Sequence, residues 1–257
     1  DTVLYNIQTG QLTPLVSSAG NDSHATWAPD ASQLALQTDR DGDWEIYTID
    51  VETGTEDNIT QNVASDMYPN WTPEGEVVHF STRSGQPALW TTDPATGEAT
   101  GITDEDDCVP DYHPNWSANG RYMAYRADCG GSGDIWKLDF RSGQRENLTP
   151  EMPSTDRYPA ISPDSNQIIF VSNRDGNEEI YIMSDNGEDI VNLTNNDATD
   201  KQASWSPYGQ YIIFISNRSG NDAVWIMEPD GSRPTMLLES DPVSFDWPWW
   251  QPATETE

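Results

Sequence analysis

The chain has 257 residues, with 44 acidic against 12 basic side chains and a formal net charge of −32. Nucleic acids and anionic membranes are bound mainly through Lys and Arg, so this balance excludes both as expected partners. It favours cations and basic proteins; alternatively, the acidic surface serves solubility or is an adaptation to salty surroundings. Every apolar run is strand length, far short of the ~20 residues that span a bilayer, so we expect no membrane insertion.

A tryptophan-centred segment recurs along the chain at intervals of 44 or 45 residues. A period in the low-to-mid forties, with one strand–turn–strand pattern per repeat, indicates a β-propeller. We therefore predict one domain over residues 1–257, all-β, with six blades of four antiparallel strands. The predicted blades start near residues 22, 66, 111, 156, 200 and 244.

The fourth repeat shows the predicted blade most clearly. Pro163 stands at the second position of a turn, where its fixed φ suits type I geometry, and Asp175-Gly176 favours a tight hairpin. Around these turns the predicted strands are 157–162, 167–172, 179–183 and 190–194.

Both chain ends are expected to form the sixth blade. Phe245 to Pro252 supplies its inner strand, and residues 1–21 supply its third and outer strands, at 3–7 and 12–16. Closing a ring in this way removes exposed strand edges. Because no apolar run follows Trp250, either this blade is short and incomplete or the native protein continues beyond Glu257.

Four motifs carry a resemblance to a known family: Trp205-Ser-Pro207, Phe170-Val-Ser-Asn-Arg-Asp-Gly176, Glu45-Ile-Tyr47 and Asn192-Leu-Thr194. They are similar to the WD-like repeats of the TolB family of six-bladed propellers, and the resemblance covers residues 1–252. It implies the fold and an extracytoplasmic, periplasmic or extracellular location. It says less about function, because related repeats serve as periplasmic scaffolds, sensor domains and peptidase-gating domains.

Two sets of repeated residues enter the inner strands, where propeller loops converge at one mouth of the central channel. An aspartate occurs five residues before the recurring tryptophan position in five repeats: Asp22, Asp66, Asp111, Asp156 and Asp200. A ring of oxygen ligands would suit Ca²⁺ or Mg²⁺; alternatively, each Asp caps a turn or contacts the next blade. Two residues further on lie the candidate channel-mouth binding residues His24, Tyr68, His113, Tyr158, Gln202 and Asp246.

Other singular features have separate interpretations. The recurring arginine at Arg40, Arg83, Arg174 and Arg218 is predicted to bridge to the acidic start of the third strand, as at Glu45 and Glu179. Trp44, on a hairpin tip outside the repeat pattern, is the candidate exposed aromatic residue. Cys108 and Cys129 lie in loops of the third blade that emerge on the same face, which predicts a disulfide.

No nucleophile elbow, zinc helix or phosphate loop occurs in the sequence. We therefore expect a non-enzymatic binding or scaffold propeller that contacts a protein or ligand at the channel mouth, as a monomer or as a module of a larger protein. Two alternatives stay open: a metal-dependent enzyme, such as a polysaccharide lyase with His24 or His113 as base, and the gating propeller of a prolyl-peptidase-like hydrolase.

Overall fold

The computed structural model describes residues 2–103, 110–129, 133–150, 154–239 and 245–252. Within them the chain forms five four-stranded antiparallel sheets and one two-stranded sheet. Each four-stranded sheet is a meander in which consecutive strands pair, so each is one propeller blade. No helix in the described ranges is long and apolar enough to cross a membrane.

The strands follow the repeat in chain order. The two-stranded sheet consists of β1 (Thr2–Asn6) and β2 (Gln11–Val16). Blade 1 consists of β3 (Asp22–Trp27), β4 (Gln33–Thr38), β5 (Glu45–Asp50) and β6 (Glu56–Asn58). Blade 2 consists of β7 (Asp66–Trp71), β8 (Val77–Ser81), β9 (Ala88–Thr92) and β10 (Ala99–Gly101).

The last three blades repeat the same order. Blade 3 consists of β11 (Pro110–Trp116), β12 (Tyr122–Asp128), β13 (Gly133–Asp139) and β14 (Gln144–Asn147). Blade 4 consists of β15 (Asp156–Ile161), β16 (Gln167–Ser172), β17 (Glu179–Ser184) and β18 (Val191–Asn192). Blade 5 consists of β19 (Asp200–Trp205), β20 (Ile212–Ser216), β21 (Ala223–Met227) and β22 (Thr235–Glu239).

Apolar cores lie between neighbouring blades, because each sheet carries apolar side chains on both of its faces. Tyr122 and Ile135 of blade 3 pack against Phe170 and Met183 of blade 4 in one buried cluster. A second cluster joins blade 4 to blade 5. The inner-strand tryptophan also links blades by a hydrogen bond, since Trp71 Nε1 donates to the carbonyl of Thr26 at 3.1 Å.

The prediction of six four-stranded blades is wrong: the part of the chain that the structure describes has five. The two-stranded sheet β1–β2 packs against blade 1, where Leu15 and Val16 contact Leu36. Residues 245–252 form no strand and instead pack against blade 5, with Phe245 and Trp250 on Val224. This segment contains Pro248 and Pro252, which lack the backbone N–H that a sheet ladder requires.

Candidate functional site

A β-bulge in each inner strand aims one side chain into the channel. The pairing of inner and second strands shifts register at the same place in all five blades, for example between Met67 and Asn70. The residue inside the bulge adopts left-handed backbone: His24 (φ 55°), Tyr68 (58°), His113 (61°), Tyr158 (58°) and Gln202 (55°). Non-glycine residues rarely adopt this conformation and it costs about 1–3 kcal/mol each. Five of the six predicted channel-mouth residues thus occupy one repeated position.

The sixth channel position belongs to Trp247, not to Asp246. Trp247 has φ 54° and its ring lies among the other channel residues, whereas Asp246 is exposed. The backbone N–H of Trp247 donates to Gln202 Oε1 at 3.2 Å. A sequence signal for this assignment exists, because a proline follows Tyr68, His113, Tyr158 and Trp247 alike. Counting two residues on from Ser244, which stands at the aspartate position of the sixth segment, gives Asp246 and misses Trp247 by one residue.

Five aromatic side chains close the channel, and we call them the aromatic plug: His24, Tyr68, His113, Tyr158 and Trp247. Ring centroids are 3.8 Å apart for His24 and Trp247, and 4.1 Å apart for Tyr68 and His113. His113 also stacks on Tyr158 at 4.5 Å. The His24–Trp247 pair is tilted, the Tyr68–His113 pair is edge-on and the His113–Tyr158 pair is stacked; edge-on and stacked arrangements stabilise aromatic pairs beyond simple burial.

The aromatic plug separates two cavities. The larger, about 260 Å³, is lined by the plug together with Tyr112 and Arg126, and we call it the mouth cavity. Tyr112 precedes His113 in β11 and pairs with Arg126 of β12, so this cavity lies toward the loops that enter the inner strands. The smaller cavity, about 60 Å³, lies beyond the plug beside Asn70 and Asn115.

Three titratable plug residues, His24, His113 and Tyr68, are uncharged at neutral pH. Burial lowers the pKa of His24 to about 3. Burial, followed by the charges of His24, Arg126 and Arg157, holds the pKa of His113 well below its usual range, and burial raises the pKa of Tyr68 to about 12. Among the described residues, His24 Nε2 and His113 Nδ1 are buried and have no hydrogen-bond partner.

In blades 1, 2, 4 and 5 the aspartate at the start of the inner strand is paired with the recurring arginine of the same blade. The Asp–Arg distances are 3.1 Å for Asp22–Arg40, 3.0 Å for Asp66–Arg83, 3.0 Å for Asp156–Arg174 and 2.9 Å for Asp200–Arg218. All four carboxylate side chains are fully buried. The predicted arginine bridge to the third strand is thus corrected, since Glu45 and Glu179 accept hydrogen bonds from Thr60 and Thr194 instead.

The Ca²⁺ or Mg²⁺ hypothesis for the aspartate ring remains a prediction of the sequence. The side chain of Asp111 lies outside the described residues, and within them no group of three or more His, Cys, Asp or Glu side chains could hold a metal ion. If a site exists, Ca²⁺ raises the melting temperature by mass action, beyond the response to Na⁺ at equal ionic strength. If Ca²⁺ and Na⁺ raise the melting temperature equally in a thermal unfolding experiment, the aspartates have only the structural role of pairing with arginine.

Two further predicted features have different outcomes. Trp44 is half-buried rather than exposed, and its carbonyl accepts the backbone N–H of Asp66 at 2.8 Å. Cys129 packs against the core shared by blades 2 and 3. Cys108 lies outside the described residues, so the disulfide stays a prediction.

A family model, the TolB beta propeller domain, matches residues 1–113 and 109–246. The chain belongs to this family. Among curated relatives, the uncharacterized peptidase YuxL of Bacillus subtilis is 23% identical over 192 residues, which are 70% of this chain and 27% of that protein. A TolB homolog of Chlorobium chlorochromatii is 27% identical over 144 residues, 56% of this chain and 32% of that protein. The TolB-like chain therefore spans about a third or less of these relatives.

Solved structures share the fold of this TolB-like propeller. TolB from Acinetobacter baumannii superimposes with a TM-score of 0.77 at 25% identity, covering 93% of this chain and 63% of that one. An oligogalacturonate lyase from Vibrio parahaemolyticus superimposes with a TM-score of 0.64 at 12% identity, covering 91% of this chain and 71% of that one. The second likeness shows the fold alone.

Sequence reasoning missed Trp247, Tyr112 and Arg126 as lining residues of the mouth cavity. The proline signal identifies Trp247, and Tyr112 is adjacent to a predicted residue. Arg126 can be recognised as a lining residue only once the pairing of the inner and second strands is known. The residues at its position in the other four blades are Gln37, Phe80, Val171 and Ile215.

Proposed function

We propose that this TolB-like propeller is a non-enzymatic, extracytoplasmic binding module that recognises a protein partner or a ligand at the channel-mouth face. The observation that carries the proposal is the mouth cavity, a concave space of about 260 Å³ at a fixed point of a rigid scaffold. Sites of this shape, mostly aromatic with a few polar groups, are typical of ligand recognition.

The backbone of the site supports the same proposal. Six residues at one repeated position hold left-handed backbone, which costs free energy at each of them. The bulges fix the backbone of four plug residues before any ligand arrives, and Trp247 has the same left-handed backbone outside any strand. A preorganised surface loses less conformational entropy when it binds, so this geometry favours recognition.

The chemistry at the mouth favours binding over catalysis. The described residues that line the cavity contribute aromatic rings, imidazoles and one guanidinium, without a serine, cysteine or carboxylate to act as nucleophile. Family membership supports the extracytoplasmic part of the proposal, through the resemblance to TolB proteins.

A second candidate is the propeller of a peptidase. The relation to YuxL favours it, because that protein is named as a peptidase and the present chain matches 27% of its length. Reading the complete gene decides between the two: a hydrolase domain in the same reading frame supports this candidate, and its absence supports a separate binding module.

A matched pair of tyrosine variants tests the proposed function. Tyr158 lies in the aromatic plug, whereas Tyr208 is 70% exposed on a turn of blade 5. Peptides selected on the immobilised wild-type protein from a display library are expected to bind Tyr158→Ala about tenfold or more weakly, since a central aromatic contact typically contributes over 1.4 kcal/mol. Tyr208→Ala serves as the control and should bind as the wild type does. Equal affinity for both variants would place recognition elsewhere on the surface.

A further inference from the structure

Segment 245–252 lies against blade 5 as an inner strand lies against the blade before it, although it forms no strand. Its Trp247 has the left-handed backbone of the bulge residues. Two hydrogen bonds join it to blade 5, Trp247 N–H to Gln202 Oε1 and Ser204 Oγ to the Pro248 carbonyl. The equivalent bonds join β7 to blade 1, Tyr68 N–H to Gln37 Oε1 and Thr26 Oγ1 to the Pro69 carbonyl.

The sheet of β1 and β2 has the geometry of a third and an outer strand. Asn6 Oδ1 accepts the backbone N–H groups of Gln8 and Thr9, and the N–H of Gly10 donates to the Asn6 carbonyl. The same bonds form the turn between third and outer strands in three blades, where the aspartates are Asp50, Asp93 and Asp139. The place of a second strand, between segment 245–252 and β1, holds no strand among the described residues. We call this place the strand gap.

Trp249 is exposed at the strand gap. In each blade, the residue two positions after the bulge residue pairs with the second strand: Thr26, Asn70, Asn115, Ala160 and Ser204. All five are buried, with 8% exposure or less, whereas Trp249 stands two positions after Trp247 and is 36% exposed. Because an indole carries a large apolar surface, a strand beside Trp249 would remove much of that surface from water.

We infer that the strand gap binds one extended strand of another protein. Among the described residues β1 pairs with β2 alone, and an extended peptide can add to such a free edge. β1 carries none of the charged residues that protect many edge strands from pairing. The occupant should be apolar on both faces, because the second strands β8 and β20 are buried along their whole length. Basic residues at its ends suit a chain of net charge −32.

These 257 residues contain no apolar segment left to fill the gap. Every run of three or more consecutive apolar residues in the sequence overlaps one of the strands described above. A second copy of the chain has the same strands in use. The donor is therefore a different polypeptide, which offers five or six extended residues of the kind found in β16 (Gln167–Ser172).

A synthetic strand tests the inference. The probe is the peptide Lys-Lys-Gln-Ile-Ile-Phe-Val-Ser-Lys-Lys, whose centre copies β16. We expect it to bind with one-to-one stoichiometry in isothermal titration and to raise the melting temperature of the chain by mass action. The same peptide with N-methyl groups on alternate residues lacks ladder donors. It is expected to bind about tenfold or more weakly.

Two variants and a cross-link locate the binding. Trp249→Ala removes the exposed indole beside the gap and should weaken binding of the probe about tenfold or more. Tyr208→Ala removes an aromatic ring that is 70% exposed on a turn of blade 5, and should bind the probe as the wild type does. A benzophenone in place of the phenylalanine of the probe should cross-link to β1 or to segment 245–252. Mass spectrometry of the wild-type chain identifies the cross-linked residues without any variant.

Binding that depends on the N–H groups of the probe and on Trp249, with cross-links at the gap, supports the inference. No binding, equal binding of the N-methylated probe, equal effects of the two variants, or cross-links confined to other blades overturns it. The product of the complete gene is titrated in parallel. If it does not bind while the 257-residue chain does, a later segment of the same polypeptide fills the gap, which overturns the assignment to another protein. The proposed function fails separately, through the comparison of Tyr158→Ala with Tyr208→Ala.

Discussion

Replacing Arg218 by methionine is expected to lower the free energy of unfolding by about 3–5 kcal/mol, because breaking a buried ion pair leaves one charge without compensation. The Asp200 side chain is fully buried, and Arg218 donates to it at 2.9 Å. The amide of Asn196 also donates to Asp200, at 2.7 Å, but it carries no charge. The guanidinium carbon of Arg218 also lies 5.1 Å from the centroid of the Phe214 ring and 5.0 Å from that of Trp225, so the methionine variant loses this cation–π contact as well.

An exposed arginine of the same blade provides the control. Arg233 is 81% exposed and bonded to Glu228 at 2.8 Å, so Arg233→Met should change stability by about 0–1 kcal/mol. Adding Asp200→Asn to Arg218→Met removes the uncompensated charge and should recover part of the loss. Urea unfolding measures all four proteins, and similar losses for the two arginine variants would contradict the argument.

Features that repeat were predictable from the sequence, because their period reports the fold directly. The inner strands begin at Asp22, Asp66, Pro110, Asp156 and Asp200, and five of the six channel positions follow from the same count. The sixth blade was not predictable in this way. The tryptophan period predicts an inner strand in segment 245–252 as in the other repeats. This segment contains prolines, however, and a proline has no backbone N–H to donate to a neighbouring strand.

Side-chain direction explains the other errors. The sequence places Arg83 near the start of the third strand, but its Nε donates to Ser81 Oγ and the guanidinium then turns back to Asp66. Antiparallel register puts Asp66 opposite Ser81 and so within reach. The position of Arg126 at the mouth cavity was also not predictable from a local motif, because it depends on the pairing of Arg126 with Tyr112 across two strands.

Lowering the pH from about 7.5 to about 5.5 is expected to destabilise the wild-type propeller through the two histidines of the plug. Both are neutral in the folded state, where burial lowers the pKa of His24 to about 3 and that of His113 well below its usual value of 6.5. The unfolded chain therefore binds more protons than the folded one below pH 6.5. Stability is full above this value and declines as the pH falls toward the folded pKa, by about 1.4 kcal/mol per pH unit for each histidine.

Variants that cannot titrate isolate this contribution. His24→Gln and His113→Gln should each lose about 1.4 kcal/mol less than the wild type between these two pH values, and the double variant about twice that amount. Buried carboxylates such as Glu45, whose pKa is raised by burial, are present in every protein compared, so their contribution cancels. Urea unfolding at both pH values provides the measurement. Equal losses in the wild type and the double variant would mean that the plug histidines accept protons in the folded state, and would contradict the lowered pKa values of both imidazoles.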